Sequence, residues 1–297
     1  MTQNYKSGFF SIVGCPNVGK STLLNTLVGQ KIAIVTDRAQ TTRNKITGVV
    51  TRADYQMIFL DTPGLTMPRN KLGEYMQKVA LDAFNDIEAV VLLIDPLLGV
   101  KERDEKILDR LRQCKSPVIV AINKADKATM AQLEQARFAI GEGFEIMEIS
   151  AKTGEGVDKL EKRLADFLVE GPQYFPPDMV TDQPERVICS EMIREKALQL
   201  LSEEIPHGVG VGIDKMEMRE GGGLMDVYAT MYCERDSHKA IIIGRGGSML
   251  KRIGMESRKD IEWLLGVRVN LQLWVKVKED WRNKQSMLNE LGYDLRN

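Results

Sequence analysis

The sequence lacks the segments and residues that mark membrane-spanning, secreted and zinc-binding proteins. It contains no run of ~18 uninterrupted apolar residues, so no membrane-spanning helix is predicted. Residues 1–10 carry no basic flank leading into an apolar stretch, which argues against secretion, and we expect a cytoplasmic protein. The four cysteines are widely spaced and there are two histidines, a pattern typical of reduced thiols rather than of disulfides or a zinc site.

An excess of charge of either sign is also missing. The chain has 41 basic and 42 acidic residues, a net charge of −1, so any binding of nucleic acid must rest on a local cluster. With 297 residues, 43% of them hydrophobic and 28% charged, the composition is that of a globular protein with room for two domains. This composition excludes long disordered, collagen-like and coiled-coil structures.

The first half of the chain alternates short apolar runs with helical patterns. Because continuous apolar runs are typical of strands buried on both faces, the alternation predicts a mostly parallel sheet with helices on both faces. Only Ala53 and Asp54 separate the runs 46–52 and 55–60, which predicts one antiparallel hairpin. The predicted strands are 9–13, 46–50, 56–60, 89–94, 118–122 and 146–149, and the first helix is 21–28.

A proline-rich segment divides the chain. Pro172, Pro176 and Pro177 interrupt both helix and strand, because proline lacks an N–H and fixes φ. We therefore expect a first domain at 1–172, a linker at 173–185 and a second domain at 186–297. The second domain is predicted to contain a helix (186–201), two strands (209–218 and 224–234), a helix pair around 244–247, a strand (267–277) and a final helix from about residue 280.

Residues 14–21 read G-C-P-N-V-G-K-S and match the phosphate-binding pattern G-x-x-x-x-G-K-[ST]. A predicted strand precedes the pattern and a predicted helix follows it. The glycines let successive N–H groups point at phosphate oxygens, and the helix N-terminus adds partial positive charge. We expect Lys20 to reach the β- and γ-phosphates and Ser21 to bind Mg²⁺. The predicted phosphate-binding residues of this loop are Gly14, Cys15, Pro16, Asn17, Val18, Gly19, Lys20, Ser21 and Thr22.

Two further loops are candidates for the metal and the γ-phosphate. Asp61-Thr62-Pro63-Gly64 follows a predicted strand, which suits Asp61 to hold Mg²⁺ through water and the Gly64 amide to contact the γ-phosphate. Alone this sequence is typical of a proline turn, but it follows a phosphate-binding loop. Thr41-Thr42-Arg43 lies where a threonine hydroxyl would bind Mg²⁺ while a nucleoside triphosphate is present. We favour Thr42 over Thr41, with a polar solvent loop as the alternative.

Two loops in the same half indicate which base is bound. Asn123-Lys124-Ala125-Asp126 follows a strand, and a carboxylate at Asp126 accepts two parallel hydrogen bonds that guanine offers and adenine does not. The Asn123 side chain and the Lys124 stem are expected to line the base. In Ser150-Ala151-Lys152, the Ala151 amide is expected to bond the guanine carbonyl. These loops together predict a guanine-nucleotide site.

These motifs resemble the Era family of translation-factor-related GTPases. The spellings G-x-P-N-V-G-K-S, A-Q-T-T-R and D-T-P-G-L carry the resemblance. The resemblance implies a GTPase that converts GTP to GDP and phosphate with Mg²⁺. Its expected catalytic residues are Lys20, Thr42 and Gly64, and its expected metal ligands are Ser21, Thr42 and Asp61.

Two positions bear on the expected rate of hydrolysis. Leu65 is a further expected phosphate-binding residue, and it stands where Ras-like enzymes have a glutamine that orients the attacking water. A leucine cannot orient water, so slow intrinsic hydrolysis is expected. Related GTPases with an asparagine at the position of Asn17 use potassium, and the resemblance implies K⁺ dependence as a hypothesis.

In the second half, Gly244-Arg245-Gly246-Gly247 lies between two apolar helical segments. A loop without bulky side chains lets a nucleic-acid backbone approach, and the loop resembles the clamp that the KH module places on single-stranded RNA. Between residues 239 and 259 there are six basic residues and one acidic residue. The glycines alone are typical of a helix–helix turn, and the basic cluster favours RNA. The predicted RNA-binding residues are Lys239, Gly244, Arg245, Gly246, Gly247, Lys251 and Arg252.

The segments 191–196 and 273–278 also resemble the C-terminal domain of the Era family, so the resemblance covers about residues 8–293. It implies an α/β P-loop GTPase domain followed by an α+β KH domain of type II. It also implies a monomer that binds small-subunit ribosomal RNA near its 3′ end during assembly of the small ribosomal subunit, with peripheral contact to the inner face of the membrane.

Two alternatives stay open. One is a constitutive RNA-binding protein in which GTP is structural, and the other is an ATP-driven RNA-remodelling enzyme. The three tryptophans are expected to pack rather than to stack on bases, with Trp281 as the candidate for exposure.

Overall fold

The computed structural model describes residues 5–36, 38, 41–64, 68, 70–82 and 86–293. These residues pack as two units. The first unit draws on Met1–Ala33, Thr42–Met67 and Met76–Asp182, and the second on Ile34–Thr41, Pro68–Tyr75 and Gln183–Asn297. The last change of unit, after Asp182, falls within the predicted linker 173–185. No helix in the described part of the chain is long and apolar enough to cross a membrane.

The first unit is built on a sheet whose strand order is β2-β3-β1-β4-β5-β6. Neighbouring strands run parallel except β2, which pairs antiparallel with β3 and places Ile46 opposite Asp61. The predicted hairpin and parallel sheet are confirmed. The strands are β1 (Lys6–Gly14), β2 (Ile46–Thr51), β3 (Tyr55–Asp61), β4 (Ala89–Ile94), β5 (Val118–Ile122), β6 (Glu145–Glu148) and β7 (Val169–Glu170).

The two-residue strand β7 was missed by the sequence analysis. It pairs antiparallel with β1, with Lys6 opposite Glu170. Both of its residues are exposed, so the strand carries no apolar pattern that the sequence analysis could detect.

Helices pack on both faces of this sheet. Residues of α1 (Lys20–Val28) and α5 (Val157–Ala165) lie in one apolar cluster of the sheet, and residues of α3 (Glu102–Leu111) and α4 (Met130–Ile140) lie in the other. Helix α2 (Lys71–Asp82) is divided between the two units after Tyr75. All six residues of β4 are buried, because apolar clusters cover the sheet on either side. Because β1, β3, β4, β5 and β6 run parallel, the loops that follow them lie along one edge of the sheet. This edge is where open parallel sheets bind ligands.

The second unit has a three-stranded sheet in the order β10-β9-β8. β8 pairs antiparallel with β9, and β10 pairs parallel with β9. Apolar side chains of its helices and strands form one core. The predicted α-β-β-α-α-β order is confirmed by α6 (Glu185–Leu200), β8 (Gly210–Met218), β9 (Leu224–Cys233), α7 (Asp236–Ile243), α8 (Ser248–Leu265) and β10 (Arg268–Val277).

The chain after β10 differs from the expectation. The final helix, α9 (Gln285–Glu290), begins five residues later than predicted, after a single 3₁₀ turn at Trp281–Asn283. Asp280 has a left-handed backbone with φ 52°, which prevents a helix from starting there. Trp281 is buried and its indole N–H donates to the Gly208 carbonyl at 2.9 Å. Trp263 and Trp274 are the exposed tryptophans.

Candidate functional site

The loop between β1 and α1, residues 14–21, has the backbone that a phosphate cradle requires. Gly14, Asn17 and Gly19 have φ values of 145°, 66° and 104°. A Cβ on Gly19 would lie 2.2 Å from the Asn123 Nδ2 atom, so a larger residue there would displace the Asn123 side chain. Helix α1 begins directly at Lys20, and its free N–H groups are therefore placed at the loop. We call residues 14–21 the phosphate loop.

Lys20 is folded over the phosphate loop. Its ammonium group donates to the carbonyls of Gly14 and Cys15, each at 3.1 Å, and the residue is buried. Burial lowers the pKa of Lys20, and the charge of Asp61 partly opposes that shift. The neighbouring Cys15 thiol has its pKa raised to about 12 by burial and by its hydrogen bond with Asp104. Cys15 is therefore a protonated thiol at neutral pH, while the Lys20 ammonium is directed at the loop.

Three oxygen-bearing side chains converge beside Lys20. The Ser21 hydroxyl donates to Asp61 Oδ2 at 2.7 Å and lies 2.9 Å from the Thr42 hydroxyl oxygen. Asp61 Oδ1 is buried and has no hydrogen-bond partner within the described residues. Mg²⁺ prefers oxygen ligands such as carboxylates and hydroxyls. The Ser21, Thr42 and Asp61 oxygens, one of which has no hydrogen-bond partner among the described residues, therefore fit a magnesium ion.

The environment of Asp61 raises its pKa to about 6, with burial as the largest cause. Lys20, the Ser21 hydroxyl and the Thr62 amide act in the opposite direction but do not cancel it. Burial disfavours a lone carboxylate, and a divalent cation beside it would favour the ionised form. The Lys20 charge therefore compensates the buried Asp61 carboxylate only in part, and a divalent cation would add to that compensation.

The two candidate threonines have different partners. Thr42 is buried and touches Ser21, whereas the Thr41 hydroxyl bonds the Thr36 hydroxyl at 2.7 Å and the Arg38 carbonyl at 2.6 Å. The structure therefore brings Thr42, and not Thr41, to the candidate magnesium position, as the sequence analysis favoured.

The loop after β3 lies against the phosphate loop. Thr62 and Pro63 are buried, and a Cβ on Gly64 would lie 3.1 Å from the Pro16 backbone nitrogen. The Gly64 backbone thus approaches the cradle closely, as expected for a γ-phosphate contact. The next predicted residue, Leu65, lies outside the described residues, and its expected role stays a prediction.

The predicted base-binding loops meet at the ends of β5 and β6. Ser150 donates through its hydroxyl to Asp126 Oδ1 at 2.7 Å, and Asp126 is exposed. Asn123 donates to the Val18 carbonyl at 2.7 Å, which ties this edge to the phosphate loop. Lys124 has φ 62° and donates to the Asn17 carbonyl at 3.0 Å. Lys152 is exposed beside them. An exposed carboxylate held by one hydroxyl keeps its second oxygen available for a base.

One predicted base-binding amide has a protein partner in this structure. The Ala151 amide, whose expected bond to the guanine carbonyl stays a prediction, donates to Asn123 Oδ1 at 2.8 Å. Asn123 connects two loops through its donor and its acceptor, and this takes up the amide. The sequence analysis did not foresee this, because it treated Asn123 only as a wall of the base pocket.

The sequence analysis also missed Asp95. This buried carboxylate accepts from the Lys124 ammonium at 2.6 Å and from the Leu97 amide at 3.0 Å. It therefore fixes the lysine that bridges the base loop and the phosphate loop. Its position directly after β4 was the available signal, since the other site residues also follow strands.

The candidate RNA loop joins α7 to α8. Gly244, Gly246 and Gly247 all have positive φ, and nothing lies within 4 Å of a Cβ built on Gly246 or Gly247. Arg245 is exposed, and α8 begins at Ser248, so a charged and open loop stands at a helix N-terminus. Of the other predicted residues, Lys239 is half-buried on α7, Lys251 is exposed, and Arg252 is exposed with an ion pair to Glu256 at 3.0 Å.

Two family models match the chain, one in each half. A family described as 50S ribosome-binding GTPase matches residues 9–124, and the KH domain matches residues 204–282. The first match spans the phosphate loop and the loop after β3. The second spans the glycine loop between α7 and α8.

Curated relatives match over nearly the whole length. The GTPase Era of Clostridioides difficile (strain 630) is 51% identical over 294 residues, which cover 98% of this chain and 99% of the relative. The GTPase Era of Alkaliphilus metalliredigens (strain QYMF) is 49% identical over 294 residues, which cover 98% of this chain and all of the relative.

Solved structures are similar over both units. A crystal structure of Era in complex with MgGDPNP and nucleotides 1506–1542 of 16S ribosomal RNA has a TM-score of 0.92 and 38% identity. A crystal structure of an Aquifex aeolicus Era variant bound to GDP and aluminium fluoride has the same TM-score and identity. Each similarity covers 98% of this chain and 100% of the solved chain.

Proposed function

The chain belongs to the Era family of GTPases, and from that premise we propose that it binds small-subunit ribosomal RNA near the RNA's 3′ end. Its first unit hydrolyses GTP to GDP and phosphate. Its second unit, a KH domain, is the part that contacts RNA in this proposal. The process it serves is assembly of the small ribosomal subunit.

The observation that carries the proposal is that one chain holds both sites. The phosphate loop with its converging oxygens supports nucleotide binding, and the open glycine loop supports contact with a nucleic-acid backbone. The solved relative that contains both MgGDPNP and 16S ribosomal RNA matches 98% of the length of this chain.

In the nucleotide site, each residue has a distinct task. The amides of the phosphate loop and the Lys20 ammonium hold the β- and γ-phosphates. Ser21 and Thr42 are placed to ligate Mg²⁺ directly and Asp61 through water, and the bound ion neutralises phosphate charge. Thr42 and Gly64 gain ligands only while the γ-phosphate is present, so their segments are released after hydrolysis.

In the RNA site, the glycine loop supplies space and the helix supplies charge. Because nothing crowds Gly246 and Gly247, a sugar–phosphate backbone reaches the N–H groups at the start of α8. Arg245 is exposed on the same loop and adds a guanidinium for phosphate contact.

The experiment that tests the proposal is RNA binding in three nucleotide states. An RNA of the 3′ end of 16S ribosomal RNA is titrated with the full chain and Mg²⁺ in GDPNP, in GDP and without nucleotide. We expect tighter binding in GDPNP than in GDP by at least about fivefold. Equal affinities in the three states would favour the constitutive RNA-binding protein, and displacement of GDPNP by ATP would favour the ATP-driven remodelling enzyme.

We also propose potassium dependence of the hydrolysis step. Asn17 lies in the phosphate loop with a left-handed backbone, next to the phosphates that a monovalent cation would neutralise. GTP turnover measured in potassium and in sodium at equal ionic strength tests this proposal. Equal rates remove it.

Location and oligomeric state are further proposals that rest on the family. We propose a cytoplasmic monomer that makes peripheral contact with the inner face of the membrane. Fractionation of cells and light scattering of the purified chain test these two statements separately. A protein found only in the cytosolic fraction would remove the membrane contact.

A further inference from the structure

The three-stranded sheet of the second unit turns one face to the apolar core and the other face away from it. Val269 and Val275 of β10 are buried in that core, as are Val227 and Ala229 of β9. Because successive side chains of a strand alternate between the two faces, the residues between these positions point the opposite way. We call this side of the sheet the outer face, and it carries Tyr228 of β9 and Arg268, Asn270, Gln272, Trp274 and Lys276 of β10.

The C-terminal segment of the chain covers one end of the outer face. A Cβ on Gly210 of β8 would lie 2.9 Å from the Leu291 side chain and 3.2 Å from the Trp281 ring. Tyr232, which pairs with Gly210, is buried. Trp274 is 44% exposed, so the cover does not extend over the indole.

Two aromatic rings lie side by side on the uncovered part of the outer face. The rings of Tyr228 and Trp274 are inclined by 17°, and their centroids are 5.9 Å apart. Each ring limits the movement of the other, so little side-chain freedom is lost when a ligand binds. An exposed pair of nearly parallel rings fits a flat ligand, and every nucleobase offers a flat π face.

Positive charge accompanies the ring pair along β10. The outward positions of this strand carry Arg268 and Lys276 and no acidic residue. On the neighbouring strand, Asp226 accepts from Arg219 at 2.6 Å and from Asn270 at 2.7 Å, and these hydrogen bonds lower the pKa of Asp226 to about 2. The Arg219 guanidinium therefore neutralises that carboxylate, and the two cations of β10 give the outer face a local positive charge.

A cavity opens at the end of the outer face where β10 begins. Its volume is about 560 Å³, and its lining includes Arg219, Arg258 and Arg268 against the single acidic residue Glu262. The glycine turn 221–223 lies beside it, and nothing lies within 4 Å of a Cβ built on any of the three glycines. Guanidinium groups bind phosphate oxygens through parallel hydrogen bonds, so this basic, open cavity fits a phosphate group.

The side chains of the outer face favour RNA over a protein partner. The outward positions of β10 carry an arginine, two amides, a tryptophan and a lysine, and no aliphatic side chain. The centre of a protein interface is depleted of charged residues, whereas this stripe begins and ends with one. Sheets that bind single-stranded RNA combine exposed aromatic rings, which stack on bases, with cations that contact phosphates. The outer face has this combination.

We propose that the outer face is a second RNA-binding surface of the KH domain. Unpaired bases stack on Trp274 and Tyr228, and phosphates bind Lys276 and the arginines of the cavity. This inference rests on the proposed function and adds a site to it.

The second surface is separate from the glycine loop. Helices α7 and α8, which flank that loop, contribute Ile242, Ile253 and Ile261 to the core and so pack against the inner face of the sheet. Strand β10 is an edge strand of this sheet. One RNA therefore reaches both surfaces by passing around β10.

The test compares RNA binding by matched variants of the full chain, with GDPNP and Mg²⁺ present throughout. The RNA is the 3′ end of 16S ribosomal RNA. Trp274→Leu removes an exposed aromatic face, and Trp274→Phe keeps one. Trp263→Leu is the control, because Trp263 is also exposed but lies on α8 and not on the outer face. Lys276→Gln removes one phosphate contact.

We expect Trp274→Leu to weaken RNA binding by at least about fivefold, and Trp274→Phe and Trp263→Leu to stay within about twofold of the wild type. Lys276→Gln should reduce the slope of log affinity against log salt concentration by about one. Ultraviolet crosslinking of the wild type should join RNA to a peptide that contains Trp274.

Wild-type affinity in folded Trp274→Leu would overturn the inference and leave the outer face to a protein partner. An equal loss of affinity in Trp263→Leu would also overturn it. If thermal melting shows that Trp274→Leu is unfolded, an unchanged salt slope in Lys276→Gln together with no crosslink on β10 would overturn it. A wild type that binds no RNA would instead remove the proposed function itself.

Discussion

At the scale of single residues, the nucleotide site depends on two buried charges of opposite sign. Lys20 and Asp61 are both buried. Burial lowers the pKa of Lys20 and raises the pKa of Asp61, and each shift favours the neutral form of the group. Both shifts reflect the free energy that it costs to bury a charge without full compensation. Both groups acquire matched partners when phosphates and a divalent cation enter. The residues therefore hold the site ready for a ligand that carries both.

The raised pKa of Asp61 predicts a pH dependence of magnesium binding. A carboxyl with a pKa of about 6 is mostly ionised at pH 7 and mostly protonated at pH 5, and the proton must leave before Mg²⁺ is held. Apparent Mg²⁺ affinity of the GDP complex should therefore fall about tenfold from pH 7 to pH 5. Calorimetric titrations at several pH values measure it. Asp61→Asn gives the nucleotide's own contribution, and an equal fall in that variant would contradict the assignment.

A second residue-scale prediction concerns the base. Asp126→Asn replaces the acceptor for two guanine donors with a group that offers a donor of its own, so GTP affinity should fall by about 10- to 100-fold. The same variant should gain affinity for xanthosine triphosphate. Competition binding with both nucleotides measures the change. Glu134→Gln, an exposed carboxylate on α4, is the matched control and should leave both affinities unchanged.

The sequence predicted which residues form the nucleotide site better than it predicted their hydrogen-bond partners. Ser21, Thr42 and Asp61 were expected together as metal ligands, and the Ser21 hydroxyl lies within hydrogen-bond distance of the other two side chains. The amide of Ala151 and the carboxylate of Asp95 have partners that no motif spelling contains. Such contacts depend on how two loops approach in space, which the order of residues along the chain does not give.

At the scale of elements, the turn from β1 into α1 shows why the glycines stand where they do. Gly19 and Gly29 bracket α1 with φ values of 104° and 77°. A Cβ on Gly19 would clash with the Asn123 side chain, whereas nothing lies within 4 Å of one on Gly29. Both glycines therefore permit a left-handed backbone, but only Gly19 also makes room for a loop of the site.

These two glycines give a matched pair of variants. Gly29→Ala should lower the free energy of unfolding by about 1 kcal/mol and leave GDP affinity unchanged, because only the backbone is strained. Gly19→Ala should also displace Asn123 from the phosphate loop and weaken GDP binding more than about tenfold. Urea denaturation and calorimetry measure the two effects. Equal GDP affinities in both variants would contradict the role given to Gly19.

The glycine loop before α8 gives the prediction for RNA. Arg245→Asp with Gly246→Asp places two carboxylates where RNA phosphates would lie, so RNA binding should be lost while GTP turnover is kept. Aspartate tolerates the left-handed backbone at Gly246, where φ is 59°. The control, Arg110→Asp with Gly29→Asp, makes the same charge change on exposed positions of the first unit, and Gly29 has a left-handed backbone like that of Gly246. RNA affinity retained in the first variant, measured by fluorescence anisotropy, would count against the loop.

Element order was predictable and element ends were not. The alternation of apolar runs and helical patterns predicted the parallel sheet, because buried strands need continuous apolar residues. The short strand β7 and the 3₁₀ turn at Trp281–Asn283 have no such pattern. Trp281 shows the limit most clearly, since this buried side chain donates to the carbonyl of Gly208, 73 positions earlier in the chain.

At the scale of the whole molecule, the order of residues suggested two consecutive domains. The packing assigns Ile34–Thr41 and Pro68–Tyr75, which lie in the first half of the chain, to the second unit. No local pattern in the sequence indicates this assignment, because it depends on contacts such as Val35 with Glu195 across 160 positions.

The central claim is that the converging loops of the first unit bind guanosine triphosphate with magnesium. Calorimetric titration of GDPNP into the purified full chain with Mg²⁺ tests it most directly. The account predicts one binding site per chain, loss of most of the heat when Mg²⁺ is chelated, and no competition from a large excess of ATP. A folded protein that gives no heat with GDPNP, or whose heat ATP abolishes, would contradict it.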